Sequence, residues 1–156
     1  MDKRIVLGSD FAGFDLKEKI KKHLEDQGFA VDDLGMIRRN QPYPYHNVGY
    51  KVWKALHDGA YQRGIVICGS GMGIHISAGK WSGVHCALCE SVETAKRSRI
   101  ANDCNLLAIG SFYSYEQLAC DMVDAFLNTE FGQGMDDDFI RQHRQWLEEM
   151  EKFDYQ

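Results

Sequence analysis

Short apolar runs alternate with longer stretches of helical spacing along most of the chain, and this alternation constrains the fold more than any other feature. Apolar runs fall at 4–8, 29–34, 64–68, 84–88 and 106–109. Between them, Leu16, Ile20 and Leu24 recur at helical spacing within 14–27, ahead of Gly28 as a stop. Val48, Val52 and Leu56 do the same within 47–58, and further helices are expected from the glycine-rich turn to about residue 80 and over 91–101. The segment 115–128 turns Leu118, Met122, Val123 and Phe126 inward, while 35–45 carries both prolines and reads as a loop. Strands separated by helices pair in parallel through right-handed crossovers. The expectation is an α/β fold: a single doubly wound, Rossmann-like parallel sheet of five strands with helices on both faces.

In such sheets ligands sit beyond the carboxyl ends of the strands. The residues to search are therefore Ser9, Asp10 and Phe11, then 36–45, 69–73, Glu90, and Ser111 with Phe112. The chain divides into an α/β domain at 1–130 and a tail at 131–156. After Gly132 and Gly134, the stretch 137–155 spaces Phe139, Ile140, Trp146, Leu147 and Met150 among charged residues. A lone helix of this length is marginal in water, so its apolar stripe must dock on the body or on a second subunit. A C-terminal docking helix on a partner chain, and hence a dimer, is the expectation.

Composition removes several classes. A length of 156 residues suits one domain. A net charge of -5 argues against nucleic acid or an anionic membrane as partner. No apolar run approaches the ~20 residues of a spanning helix. The N-terminal residues run straight into a strand and show neither the h-region nor the cleavage site of a secretory signal. Five cysteines, an odd number, lie scattered through apolar segments, which predicts reduced thiols and a cytoplasmic protein. Cys86 and Cys89 spell C-x-x-C, but no second pair follows at finger spacing, and core cysteines are the expected reading. None of the six histidines pairs with another at i, i+4 on a recognisable helix, so no metal is expected.

The strongest local signal is Ile67-Cys68-Gly69-Ser70-Gly71-Met72-Gly73, a strand entering a glycine loop and then a helix. Alternate glycines let backbone N–H groups converge on an anion at a helix start. A dinucleotide fingerprint is the rival reading. It fails at the third glycine, where Ile74 stands, and it lies on the third strand, although Glu90 falls at the spacing of a ribose-binding acid. Cys68 ends the strand at the mouth of this loop. Two readings stand side by side: a thiolate base working beside a helix N-terminus, with the loop amides stabilising an enediolate, or a small buried apolar residue. Asp10 either accepts hydrogen bonds from sugar hydroxyls or begins a turn. Asn102 and Asp103 fit a turn before the fifth strand, and His75 either faces the site or packs in its helix.

Taken together these residues resemble the ribose-5-phosphate isomerase B / galactose-6-phosphate isomerase family. The likeness runs from Gly8-Ser9-Asp10-Phe11-Ala12-Gly13 to the helix near Asn128, with Cys68 to Ile74, Ile76 to Lys80, and Asn102-Asp103 with Asn105 to Gly110 as its specific elements. The resemblance implies an aldose–ketose isomerase of a small sugar phosphate, working without a cofactor. It implies Cys68 as the base moving a proton between C1 and C2, Ser70 assisting, and the amides of Gly69, Gly71, Met72 and Gly73 holding the enediolate. Asp10, Phe11, Tyr43 and Asn102 would line the sugar. It also implies homodimers or dimers of dimers with shared active sites, for which Arg141 and Arg144 are the nearest candidates to hold phosphate.

The departures are informative. Members that open a sugar ring carry histidines where this chain has Phe11 and Ala101, and many carry a phosphate-binding arginine where it has Phe112. Pro42 and Tyr45 replace polar residues around Tyr43-Pro44. A four-carbon sugar phosphorylated on O4 cannot close a furanose ring, so its isomerase needs no ring-opening histidine. A tetrulose phosphate therefore stands beside ribose 5-phosphate as substrate. A non-catalytic sugar-phosphate-binding protein, or one subunit of a heteromeric isomerase, is the alternative.

Overall fold

The computed structural model describes residues 3–153. Five strands, β1 (Arg4–Ser9), β2 (Ala30–Asp33), β3 (Gly64–Cys68), β4 (Cys86–Leu88) and β5 (Leu106–Gly110), alternate with α1 (Phe14–Asp26), α2 (Tyr45–His57), α3 (Met72–Gly79), α4 (Val92–Asn102) and α5 (Glu116–Leu127). A last helix, α6 (Asp137–Met150), follows. The strands form one sheet in the order β2-β1-β3-β5-β4, every neighbouring pair parallel. The expected doubly wound α/β architecture is what the chain adopts.

The two-residue period of the strands sorts side chains between the faces. Ile5, Leu7, Ile65, Ile67, Leu107 and Ile109 pack with α1, α4 and α5. Val6, Val66, Cys68, Leu106 and Ala108 pack with α2 and α3. Cys68 therefore points to the side on which α3 begins. Gly28 ends α1 at φ 81, a left-handed conformation that glycine adopts without a Cβ penalty.

Boundaries move where backbone groups find other partners. β4 begins at Cys86, later than its apolar run, because the His85 amide donates to the Asn105 side chain, not to a ladder carbonyl. α2 begins at Tyr45 because Pro44, in extended conformation, accepts from the Asn47 and Val48 amides. α6 ends at Met150, and the remainder of its expected span includes 154–155, outside the described residues. The helix packs lightly on α4 and buries none of its own residues. Among the described residues, no helix is long and apolar enough to cross a membrane.

Candidate active site

Strand order locates the crevice. From β1 the chain goes to β2 on one side and then crosses to β3 on the other, so the carboxyl ends of β1 and β3 flank the switch point where doubly wound sheets bind ligands. Asp10 follows β1 there, and Cys68 ends β3 there.

The Cys68 sulfur accepts a hydrogen bond from the Gly71 amide at 3.2 Å. Gly71 makes this possible at φ 78, where a Cβ would meet Leu88 Cδ1 at 2.5 Å and the Gly110 amide at 2.9 Å. The Ser70 hydroxyl oxygen accepts from the Met72 amide at 3.3 Å, which leaves its own hydrogen free to donate outward. His75 makes the first bond of α3, to the Gly71 carbonyl, so the amides of Gly73 and Ile74 stand at the open start of the helix. Cys68 is only 4% exposed. The amide expected from the sequence is present, and the sulfur is buried in the cluster that holds Val66, Ile74 and Ala108, not in an open cleft.

Backbone and side-chain bonds gather the neighbouring loops around this thiol. The Ser111 amide donates to the Cys68 carbonyl and the Phe112 amide to the Gly69 carbonyl, both at 2.9 Å. The Ser111 hydroxyl donates to the Ala12 carbonyl at 2.8 Å, joining the β5 loop to the β1 loop. Asp10 Oδ1 accepts from the Gly13 amide at 3.0 Å. Gly13 is required at that point, since a Cβ would lie 2.5 Å from the Ile67 carbonyl oxygen. Aromatic rings sit on two glycines of the loop: Phe112 against Gly69 and Tyr45 against Gly73. Met72 is half exposed, as is Phe11. Tyr43 is half-buried, with the Lys51 ammonium 4.5 Å above its ring.

Burial pushes the Asp10 carboxyl above its ordinary range, against the opposing pull of the Gly13 and Ala12 amides. The protonated form fits the fold better. The stability tied to this group is whole below the ordinary carboxylate value of about 3.9 and is lost as pH rises through the raised value. Asp10→Asn keeps an acceptor for Gly13. It is expected to melt higher than wild type at pH 7, with the difference shrinking towards pH 4, while substrate binding weakens. Melting curves at both pH values decide this, and a pH-independent difference contradicts it. Desolvation raises the Cys86 and Cys89 thiols, lifts Cys120 to about 11, and together with Cys89 lifts Cys104 to about 12. Such protonated, buried thiols are poor nucleophiles and bases.

The remaining sequence candidates lie elsewhere in the chain. Asn102 ends α4 beside the start of β5, whereas Cys68 pairs with Gly110 at the far end of that strand. Its carbonyl faces His85 Nδ1 at 3.3 Å, in a cavity shared with Trp81, Leu147 and Met150. Arg141 and Arg144 are exposed on α6; Arg141 pairs with Asp138 at 2.7 Å, and Arg144 lies 5.1 Å over the Phe131 ring. His75 Nε2 is 3.1 Å from the Cys86 carbonyl, turned into the packing against β4. Lys17 escaped the sequence reading altogether. Its ammonium is fully buried, ion-paired with Asp33 and hydrogen-bonded to the Met36 carbonyl at 2.6 Å. It thereby fixes the segment that leaves β2 beside Ser9, where the Met36 amide donates to the Ser9 carbonyl at 2.8 Å.

The fold and site define a class: a doubly wound α/β protein with a thiol and a glycine-loop helix start at the topological switch. A family model described as Ribose/Galactose Isomerase matches residues 5–143, and the chain belongs to that family of sugar isomerases. Over 86% of its length the chain is 36% identical to a 4-deoxy-4-sulfo-D-erythrose isomerase of Clostridium sp. (strain MSTE9), covering 84% of that protein. It is 35% identical to a D-erythrulose-4-phosphate isomerase of Pectobacterium atrosepticum, over 83% of this chain and 86% of the other. A solved structure of Clostridium thermocellum ribose-5-phosphate isomerase B superposes with a TM-score of 0.87 at 36% identity, covering 96% of this chain and 95% of that one.

Proposed function

We propose that the protein interconverts the aldose and ketose forms of an open-chain four-carbon sugar bearing a terminal anionic group. The observation that carries the reading is the Cys68 sulfur at the end of β3, facing the Gly71 amide at the start of α3. The Cys68 thiolate takes the proton from the carbon beside the carbonyl, and the electron pair moves onto the carbonyl oxygen to give an enediolate. The Gly73 and Ile74 amides lie where that negative charge develops. The hydroxyl proton of the substrate passes from the oxygen that becomes the new carbonyl to the oxygen that carried the enediolate charge, with the Ser70 hydroxyl assisting, and the thiol returns its proton to the adjoining carbon. Asp10 receives sugar hydroxyls.

Chain length follows from what is missing at the ring-opening positions. Phe11 and Ala101 offer no imidazole to catalyse ring opening, and the Clostridium and Pectobacterium relatives are named for four-carbon substrates. Assays of aldose–ketose conversion with erythrulose 4-phosphate, 4-deoxy-4-sulfoerythrose, ribose 5-phosphate and galactose 6-phosphate test this. A four-carbon compound is expected to give the highest kcat/KM; preference for the five- or six-carbon sugar, or no turnover, overturns it.

A second copy of the chain completes the site in this reading. In one chain Asn102, Arg141 and Arg144 lie away from Cys68, and α6 leaves Trp146 and Met150 exposed, with Phe153 exposed just after it. A dimer that docks this tail brings those groups to the neighbouring thiol. Mixed dimers of Cys68→Ala with Arg141→Ala/Arg144→Ala would then regain activity that neither parent has, because one of the two sites is assembled wholly from intact residues. Mixtures as inactive as their parents contradict sharing.

A further inference from the structure

We infer that Phe112 sets substrate length by closing the end of the glycine loop next to Cys68; this rests on the isomerase reading above. The turn after β5 fixes the backbone of Phe112. Its amide donates to the Gly69 carbonyl at 2.9 Å, Ser111 donates to the Cys68 carbonyl at 2.9 Å, and the Tyr113 and Ser114 amides both return to the Gly110 carbonyl at 3.2 and 3.1 Å. The ring then lies over Gly69, which separates Cys68 from Ser70. Its Cε2 and Cζ atoms come within 2.5 and 2.6 Å of where a Gly69 Cβ would be, so any other side chain there would expel it. Tyr113 props the ring edge-on, with centroids 6.5 Å apart and planes at 86°.

The opposite end of the loop is closed in the same manner. Tyr45 ring atoms lie 2.9 to 3.1 Å from the site of a Gly73 Cβ. A substrate with its reacting carbons at the Cys68 sulfur and its oxygens at the α3 amides must fit between these two rings. Beyond Gly69 the next carbon of a longer chain meets the phenyl ring. The ring is largely exposed, and a phenyl ring has neither donor nor acceptor for the hydroxyl that carbon bears, so the contact gains no hydrogen bond. Both the added volume and the missing hydrogen bond oppose a five-carbon chain.

The test compares two ketoses that are both open-chain: erythrulose 4-phosphate and ribulose 5-phosphate. The second has O5 esterified and cannot close a furanose ring, so ring opening plays no part. Phe112→Ala is expected to narrow the ratio of their kcat/KM values at least ~10-fold, mainly by improving the five-carbon substrate, in line with the discrimination that pocket shape provides. Phe112→Leu, which keeps an apolar contact on Gly69, is expected to move the ratio the same way by less, and it serves if the alanine variant folds poorly. A ratio unchanged in an active variant, or an equal loss for both ketoses, overturns the inference while leaving the isomerase reading intact. A wild-type enzyme that converts neither ketose overturns both.

Discussion

Cys68→Ala is expected to lower kcat about 1,000-fold or more, the upper range of what a positioned proton-transferring group contributes. The loss should appear in kcat, with KM changed little, because the sulfur works on the transition state more than on binding the sugar. The fold should survive: Cys68 packs beside Val66, Ala108 and Ile74, and alanine differs from cysteine there by one buried atom. Cys68→Ser separates chemistry from shape. It keeps an atom able to face the Gly71 amide, yet a hydroxyl is a far poorer proton acceptor than a thiolate, so a comparable loss is expected. Rate assays with melting curves on both variants check this, and retention of more than ~10% of wild-type kcat in either is incompatible with a base at this position.

Lys17→Met is expected to produce the largest loss of stability among changes outside the site. The Lys17 ammonium is fully buried and meets Asp33, Glu18 at 2.8 Å, the Met36 carbonyl at 2.6 Å and the Phe14 ring at 4.7 Å. The Asp33 side chain is only 5% exposed. Removing one member of a buried pair strands the other charge, at about 3–5 kcal/mol. For a domain of this size that corresponds to a fall in Tm of roughly 10 °C. Lys17→Met/Asp33→Leu removes both charges and should recover part of the loss. A single variant melting within ~2 °C of wild type contradicts the account. The single variant should also raise KM, because the Met36 segment that Lys17 holds is bonded to Ser9, next to Asp10.

Much of this was legible in the sequence because local physics decided it. Apolar runs of strand length gave strands, and Gly28 and Gly71 sit where left-handed backbone is needed. Val66 and Cys68 share one parity along β3, and the structure puts that face under α2 and α3. Strand direction carried more information still. In a parallel sheet, a residue before one strand and a residue after another lie at opposite ends. Within one chain Asn102 therefore lies away from Cys68, and its expected role at the site was implied by the family resemblance, not by this chain's geometry. What stayed hidden depended on distant partners. Lys17 looks like a surface lysine until Asp33 and the Met36 carbonyl close around it. The rings of Phe112 and Tyr45 lie on glycines that only the tertiary fold brings beneath them.

Deuterium entry from solvent reads the proposed chemistry most directly. Erythrulose 4-phosphate incubated in D2O with wild-type enzyme over many turnovers should acquire label at C1 of the ketose and at C2, then C1, of the aldose, by NMR, and Cys68→Ala should leave these positions unlabelled. Label entering at the same rate with the variant, or conversion by wild type without label at either carbon, would mean that the sulfur at position 68 is not what moves the proton.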